Sequence, residues 1–136
     1  MLTKYAVSKL VNHLLGKAAF TMPNPVYLVL FTADPTTDGL FTNEVPASRG
    51  YARASITATM SSSVAGAASA NAADVTFGPC ITGDWGNITH VGIADSSTLG
   101  SGNLLTYKAL AAADQRIIKI GDDFRVPATT LTEAMA

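Results

Sequence analysis

The sequence predicts a mainly β protein, an antiparallel β-sandwich or barrel of about seven short strands with one N-terminal amphipathic α-helix. Short apolar segments recur at roughly even spacing, and turns rich in Gly, Pro and Asp separate them. Helical periodicity is confined to the N-terminal part. Evenly spaced short strands with turn signals between them are typical of antiparallel sandwiches and barrels. The length of 136 residues suits one domain, so we expect a single β-domain over residues 1–136.

Residues 3–15 are predicted to form the helix. Their apolar residues recur at helical spacing and form one stripe, which consists of Val7, Leu10, Val11, Leu14 and Leu15. Gly16 suits the end of the helix. Residues 1–20 contain three lysines and no acidic residue, which leaves the rest of the chain at net −4. We expect the stripe to pack on its own domain, and docking onto a partner is the alternative.

The first half of the chain then alternates between strands and loops. Residues 26–32 are apolar on both faces, which predicts a buried strand. Residues 33–50 form a long loop, and loops of this length are usually functional or mobile, so this loop is the first candidate for a contact between subunits. Residues 51–57 alternate as a half-exposed strand does. Residues 61–73 are almost all small and predict a flexible surface loop, or a strip that another backbone can approach closely.

The second half continues the pattern of short strands. A turn at residues 83–87 holds the only tryptophan, and glycines at 100 and 102 predict a hairpin turn. The five predicted strands of this half are residues 74–77, 88–94, 104–110, 116–120 and 124–126. Residues 129–136 are predicted to be a free C-terminal tail.

Composition narrows the classes of function. Apolar residues make up 48% of the chain and charged residues 14%, with a net charge of −1, which excludes a disordered tail. The absence of a basic block excludes a general nucleic-acid binder. The apolar runs are shorter than the roughly 18 residues of a membrane span. So few charges leave a surface that suits packing against other subunits, and a stable monomer with a Ser- and Thr-rich surface is the alternative.

Cysteine usage and the N-terminus bear on where the protein is made. The only cysteine, Cys80, cannot form an internal disulfide, so an oxidising compartment is not needed. Polar residues interrupt the apolar residues near the N-terminus, so a secretory signal peptide is not predicted. We therefore expect a protein that is made in a cytoplasm and does not leave by the secretory route.

A catalytic or metal-binding constellation is not found in the sequence. Cys80 and His90 lack a third residue that would orient a nucleophile and its base, and two histidines with one cysteine are too few for a zinc site. Acidic residues gather in the loop at 33–50, but their spacing does not match a calcium-binding EF-hand. We predict no catalytic, cofactor-binding or metal-binding residues, and we expect a protein that is not an enzyme.

Candidate partner-binding residues lie in and around the loop at 33–50, together with the tryptophan of the later turn. They are Asp34, Asp38, Leu40, Phe41, Glu44, Arg49, Arg53 and Trp85. The two arginines could pair with acidic residues of a partner, or they could solvate the edge of a strand. An exposed tryptophan would be a binding hot spot, but the other aromatic residues lie in strands, so we favour a Trp85 that closes one end of the barrel.

Four segments follow one another along the chain in an order that points to a family: Leu30–Pro35, Gly50–Arg53, Trp85–Asp95 and Gly102–Leu105. Together they resemble a family of small virion proteins of tailed bacteriophages, often labelled phage tail fibre proteins. The resemblance extends from about residue 3 to residue 124, and Trp85–Asp95 is its most specific part. It implies a structural protein of the virion that is made in the cytoplasm of the host bacterium.

The size of the chain bears on its place in such a particle. A tail fibre is normally a long trimer with a repetitive shaft, whereas a free-standing β-domain of 136 residues suits a capsid decoration, or cement, protein. The expected function is therefore binding to the outer shell and stabilising it, with the major capsid protein as partner and a homo-oligomer such as a trimer as the assembly. The alternative is a tail fibre adaptor, or a receptor-binding or baseplate component, with tail proteins as partners.

Overall fold

The computed structural model describes residues 1–133. Its helix, α1, spans Lys4–Leu14, and a single 3-10 turn occupies Ala47–Arg49. The strands are β1 Tyr27–Phe31, β2 Ala54–Ser55, β3 Ser69–Ala70, β4 Val75–Phe77, β5 Gly86–Ile88, β6 His90–Ala94, β7 Leu104–Ala109, β8 Arg116–Ile118, β9 Phe124–Val126 and β10 Thr132–Glu133. Strand pairing is antiparallel throughout these residues.

The predicted fold class is confirmed, because the described residues form antiparallel sheets with one N-terminal helix. They contain ten strands where about seven were predicted. The additional strands are short: the predicted strand at 88–94 is two strands, β5 and β6, and β3 and β10 lie in segments predicted to be irregular. The strands form one four-stranded sheet and three pairs, and they do not close into a barrel.

The four-stranded sheet has the order β2-β1-β6-β7. β1 lies inside this sheet, and its residues from Leu28 to Phe31 are completely buried. Leu28 and Leu30 belong to the main core, whereas Val29 and Phe31 belong to a smaller cluster on the other face. A strand that is buried on both faces needs apolar residues at every position, which is why residues 26–32 lack an alternating pattern.

Two glycines in the segments that carry the resemblance allow close packing. Gly50 has a positive φ of 79°, and a Cβ atom at this position would lie 2.5 Å from the carbonyl oxygen of Pro79. A Cβ atom on Gly92 would lie 2.7 Å from Cδ1 of Leu104. Side chains cannot occupy these places without displacing their neighbours. These two positions of the segments therefore serve the packing of the fold.

The predicted free tail at 129–136 is wrong for its described part. Leu131 is 1% exposed, and β10 pairs with β3. The buried side chain of Asn71 holds this segment, because its amide donates to the carbonyl of Pro127 at 2.9 Å and its Oδ1 accepts from the backbone of Leu131 at 2.9 Å. Residues 134–136 lie outside the described part of the chain.

The segment of small residues at 61–73 is only partly a loop. β3 lies within it, and Asn71, near its end, is completely buried. Residues 61–68 contain no strand and are exposed. Small side chains let β10 approach closely, so the interpretation of this segment as a strip for close backbone contact describes its last part, and the partner backbone is the chain itself.

The start of α1 is attached to β7. Thr3 caps the helix, because its Oγ1 accepts from the backbone of Ala6 at 3.3 Å, and its own backbone N–H donates to the carbonyl of Leu105 at 3.0 Å. Leu2 forms a bridge with Thr106. In residues 1–133, the only α-helix is too short to cross a membrane.

Candidate partner-binding surfaces

The predicted partner-binding residues separate into an exposed group and an internal group. Asp34, Asp38 and Leu40 are exposed, and Leu40 exposes 52% of its surface. Asp34 Oδ1 accepts from the backbone of Thr36 at 2.8 Å and so caps a turn. Asp38 pairs with Lys4 of α1 at 2.6 Å. Asp34, Asp38 and Leu40 therefore lie on the surface of the loop, where a partner could reach them.

Phe41 lies between the two groups. It borders an open depression of about 460 Å³, which is also lined by Asp38, Leu40 and the hairpin around Gly102. Its ring also stacks on Phe31, with ring centroids 6.2 Å apart. The half-buried ring thus joins the loop at 33–50 to the smaller cluster of the core.

Glu44 and Arg53 form a buried, two-pronged ion pair. Arg53 Nε lies 2.7 Å from Glu44 Oε2, and Arg53 Nη2 lies 2.8 Å from Oε1. The side chain of Glu44 is 3% exposed and that of Arg53 is 0% exposed. Arg53 Nη1 donates to the carbonyls of Ser96 and Ser101, and the backbone of Gly100 donates to Glu44. The interpretation of these two residues as binding a partner is corrected, because their polar atoms are already satisfied inside the protein.

This pair also fixes the loop. Glu44 bridges to Phe31 of β1 through the backbone, and its side chain reaches both Arg53 beside β2 and the hairpin before β7. The ring of Phe41 covers the guanidinium of Arg53, whose Cζ is 4.6 Å from the ring centroid. The long loop is therefore held against the domain near its middle.

Trp85 is a core residue, as the favoured interpretation expected. It is 2% exposed, and its ring meets that of Tyr51 edge to face at 5.8 Å. Its Nε1 donates to the backbone carbonyl of Arg49 at 2.7 Å. A binding hot spot at Trp85 is excluded by this burial. Arg49 itself is exposed, but its guanidinium donates to the carbonyl of Asp84. Arg49 therefore joins the end of the loop at 33–50 to the turn at 83–87.

Tyr51 is the most strongly perturbed acid in the described residues. Its hydroxyl donates to Glu44 Oε2 at 3.2 Å and accepts from the backbone of Leu30 at 3.1 Å. Burial raises the pKa of the Tyr51 phenol far above its ordinary value of 10.0, and the Glu44 carboxylate raises it further. The folded protein therefore keeps this phenol neutral in alkaline solution.

The raised pKa predicts a loss of stability in alkaline solution. Above about pH 10, the unfolded chain releases the Tyr51 proton while the folded chain retains it, so folding loses about 1.4 kcal/mol per pH unit. Below pH 10 this contribution is constant. The measurement is the free energy of unfolding of the wild type and Tyr51→Phe between pH 8 and pH 12.

The phenylalanine variant is expected to be less stable at pH 8, because the backbone N–H of Leu30 loses its acceptor. Its stability is expected to fall less steeply above pH 10 than that of the wild type. Parallel curves for the two proteins over the whole range would show that Tyr51 does not cause the alkaline loss.

Four of the five residues of the apolar stripe are exposed, contrary to the expectation that it packs on its own domain, and the fifth, Leu10, is half-buried. Val7, Val11, Leu14 and Leu15 expose 44%, 45%, 77% and 66% of their surfaces. The residue that the helix buries is Ala6. The reason is geometric: the first turn is hydrogen-bonded to β7, and that attachment turns a neighbouring face of the helix toward the core. The stripe was visible in the sequence, but the direction of its face was not.

The charged side chains around the stripe are all positive. Residues 1–20 contain three charged side chains, all of them exposed: Lys4, Lys9 and Lys17. Lys4 is engaged with Asp38, and Lys9 Nζ lies 5.6 Å from the centroid of the Tyr5 ring. The helix thus presents an apolar surface with a cationic border.

A second cavity was not anticipated from the sequence. It has a volume of about 360 Å³, and Lys108, Arg116 and Arg125 contribute positive charge to its lining. These residues come from β7, β8 and β9, so they follow no short motif. Each resembles an ordinary exposed strand residue in the sequence, and only the arrangement of three strands brings them to one cavity.

The described residues offer little that could hold a metal or act as a nucleophile. Among residues 1–133, no group of three His, Cys, Asp or Glu side chains is placed to hold a metal ion. Cys80 is buried, and its Sγ lies 3.1 Å from the carbonyl oxygen of Gly83. Surfaces that remain for function in the described residues include the exposed stripe, the two cavities above and a depression beside the end of α1.

Comparison with protein-family models identifies the family of the chain. A family model described as podophage GP4 fiber I protein gp80 matches residues 1–133. The curated proteins contain no match to this sequence. The matched residues include the helix, all four segments that carry the resemblance, and every described strand.

Proposed function

The chain belongs to the bacteriophage fibre-protein family described as podophage GP4 fiber I protein gp80 and is a structural protein of the virion; from this premise we propose that it is a non-enzymatic fibre component that attaches to the particle through α1. The observation that carries the proposal is the exposed apolar stripe of Val7, Val11, Leu14 and Leu15. Three large apolar side chains on this short helix and a fourth at its C-cap form an exposed cluster, and exposed apolar clusters mark interaction sites.

The stripe can supply the affinity that attachment requires. Complete burial of one large aliphatic side chain contributes about 1.5–3 kcal/mol, so four partly exposed side chains can contribute several kcal/mol. Thr3 and Leu2 hold the first turn of the helix on β7, and the helix is already formed before binding. Less conformational entropy is therefore lost on docking than if the segment had to fold on its partner.

The charges of the helix indicate the chemistry of the partner. An apolar groove bordered by Asp or Glu residues would match the stripe and its lysines. Two copies that met through the same helix would bring Lys4, Lys9 and Lys17 of one copy close to those of the other, and like charges in proximity oppose binding. We therefore propose a different virion protein as the partner of α1, with a homo-oligomer such as a trimer forming through other surfaces.

Two further features support a role without catalysis or cofactor. The most concentrated group of buried polar side chains, Tyr51, Glu44 and Arg53, is saturated by internal hydrogen bonds. Among residues 1–133, the exposed surfaces offer binding groups but no arranged nucleophile and base. We propose synthesis in the host cytoplasm followed by incorporation into the particle.

Capsid decoration, the placement that the sequence analysis expected, is here the alternative, and the low charged fraction of 14% favours it because such a surface suits extensive packing on a shell. Copy number separates the two placements. Purified particles are analysed by quantitative mass spectrometry against the major capsid protein. A few to a few tens of copies per particle would support a fibre component. Hundreds of copies, as a symmetric shell demands, would establish decoration instead. Absence from the particle would overturn both placements.

Substitutions on the stripe test the attachment surface. We expect the double variant Val11→Glu/Leu14→Glu to reduce incorporation into particles at least tenfold, because a charge buried in an apolar interface costs several kcal/mol and 1.4 kcal/mol is a factor of ten. The variant is supplied from a plasmid to cells infected by phage that lack the gene, and incorporation is measured by mass spectrometry.

The control is Ser8→Glu, which adds a negative charge to an exposed position of the same helix outside the stripe. It should be incorporated as the wild type is. Both proteins should unfold within about 1 kcal/mol of the wild type, since surface substitutions have small effects on stability. Normal incorporation of the double variant would show that the stripe is not the attachment surface.

A further inference from the structure

We propose that the cavity lined by β7, β8 and β9 binds an acidic saccharide through the sugar's carboxylate or phosphate group. This cationic cavity is lined by Lys108, Ala109, Leu110, Ala111, Asp114, Arg116, Phe124, Arg125, Val126, Pro127 and Thr130. The inference goes beyond attachment to the particle. It concerns a different surface from α1, and it can be tested on the purified protein without the virion.

The size of the cationic cavity suits a small ligand. Its volume of about 360 Å³ lies within the usual range of roughly 300–1,000 Å³ for small-molecule sites. The lining comes from the end of β7, the turn that follows it, the start of β8 and the whole of β9. Because most of these elements are hydrogen-bonded strands, the cavity is formed before a ligand arrives.

The floor of the cavity is apolar. Phe124 and Val126 are 3% and 9% exposed, and both belong to the main core. Leu110 packs against the same core and is partly buried. A floor of this kind suits the C–H face of a sugar ring, which is the less polar part of a saccharide. Polar contacts are then left to the border of the cavity.

The border carries more positive than negative charge. Lys108 and Arg116 contribute two positive charges and Asp114 contributes one negative charge, whereas Arg125, also in the lining, is paired with Asp74. An excess of one sign of charge around a concavity concentrates the potential inside it. An anionic group in the cavity would reduce the repulsion between Lys108 and Arg116.

Two of these cations are available for a ligand. Within residues 1–133, the side chains of Lys108 and Arg116 have neither a hydrogen-bond partner nor an ion-pair partner. Arg125 has one distant partner, Asp74, at 3.4 Å, in an exposed pair. An arginine can hold a carboxylate or a phosphate with two parallel hydrogen bonds, which makes Arg116 the principal candidate for binding the anion.

Other anionic ligands fit less well. A nucleic acid requires a basic track along several phosphates, whereas these cations surround one cavity. An acidic protein segment would require an extended groove, whereas these residues surround one cavity of about 360 Å³. An acidic saccharide combines the small ring and the charge that this cavity accommodates.

The test uses the purified chain with glucuronic acid, glucose 1-phosphate and glucose, followed by NMR titration. We expect at least one of the two anionic sugars to bind with a Kd on the order of 1 mM, the range of a weak small-molecule complex, and glucose to bind at least tenfold more weakly. Binding of both or of one supports the proposal, and a single binder identifies the anionic group. Raising the salt concentration should weaken binding, because salt screens the attraction.

Variants locate the site. Arg116→Ala and Lys108→Ala should each weaken binding about tenfold or more, as expected for the loss of a charged hydrogen bond, and Arg116→Lys should restore part of it. The matched control is Lys119→Ala, which removes a positive charge from an exposed residue outside the cavity. The amide spectra of the variants show whether each remains folded.

Four outcomes would overturn the proposal. These are the absence of binding by both anionic sugars, equal binding of glucose, binding that the cavity variants do not change, and binding of inorganic phosphate or of a poly-glutamate peptide more tightly than either sugar. None of these outcomes bears on incorporation of the protein into particles. The failure of this proposal is therefore distinguishable from the failure of the attachment proposal.

Discussion

Replacing Glu44 with alanine is expected to lower the free energy of unfolding by about 3–5 kcal/mol, because it leaves the guanidinium of Arg53 buried without its counter-charge. The guanidinium would retain hydrogen bonds to the carbonyls of Ser96 and Ser101, but these are neutral acceptors. The backbone of Gly100 would also lose its acceptor. Against a typical total stability of 5–15 kcal/mol, this loss is large enough to unfold a substantial part of the population.

The measurement is urea denaturation of the wild type and two alanine variants. Asp38→Ala is the matched control, because it removes the acid of the exposed pair with Lys4, and exposed pairs contribute about 0–1 kcal/mol. A third protein, Glu44→Ala/Arg53→Met, removes both charges and should be more stable than Glu44→Ala. If Glu44→Ala were no less stable than Asp38→Ala, Glu44 and Arg53 would not form a buried pair.

Replacing Trp85 with alanine is expected to have an effect of similar size, about 3–5 kcal/mol. A large aromatic side chain removed from a core leaves a cavity and forfeits its transfer free energy. The ring also contacts Tyr51 edge to face, and its Nε1 donates to the carbonyl of Arg49. The variant therefore loses packing between the sheet and the loop as well as one hydrogen bond.

Denaturation again provides the measurement, with Leu40→Ala as the control from the exposed part of the loop. Leu40 is 52% exposed, so its truncation should change stability by about 0.5 kcal/mol or less. Because Trp85 is the only tryptophan, its fluorescence in the wild type reports on this site alone and should resist quenching by acrylamide. Ready quenching in the folded protein, or an alanine variant of normal stability, would contradict a buried Trp85.

These results would separate the residues that build the domain from those left for binding. Glu44, Arg53 and Trp85 would belong to the first group, although the sequence placed them with the partner-binding candidates. β7 links the two surfaces that remain: its residue Leu105 holds the first turn of α1 through Thr3, and its residue Lys108 lines the cationic cavity. One strand thus carries the anchor of the attachment helix and part of the proposed saccharide site.

Several features of the fold were determined by local sequence alone. The apolar run at 26–32 predicted a strand buried on both faces, and the periodic stripe before Gly16 predicted one helix. Turn residues between short apolar segments predicted the antiparallel class. The four ordered segments also resembled a family of phage fibre-type virion proteins, and two of their glycines, Gly50 and Gly92, are required by close packing. The strand, the helix and the antiparallel class could be predicted because their patterns depend on residues that lie close together along the chain.

Tertiary structure alone decided which surfaces are free. Periodicity defines the apolar face of α1 but not its direction, which depends on the attachment of its first turn to β7. Glu44 meets Gly100, and Arg53 meets Ser96, only because the loop folds against the hairpin, and composition does not encode these contacts. Lys108, Arg116 and Arg125 line one cavity because the end of β7, the start of β8 and β9 lie around it. Contacts between residues far apart in the sequence determine which side chains are buried and which charges lie close together. The candidate sites could therefore be found only from the fold.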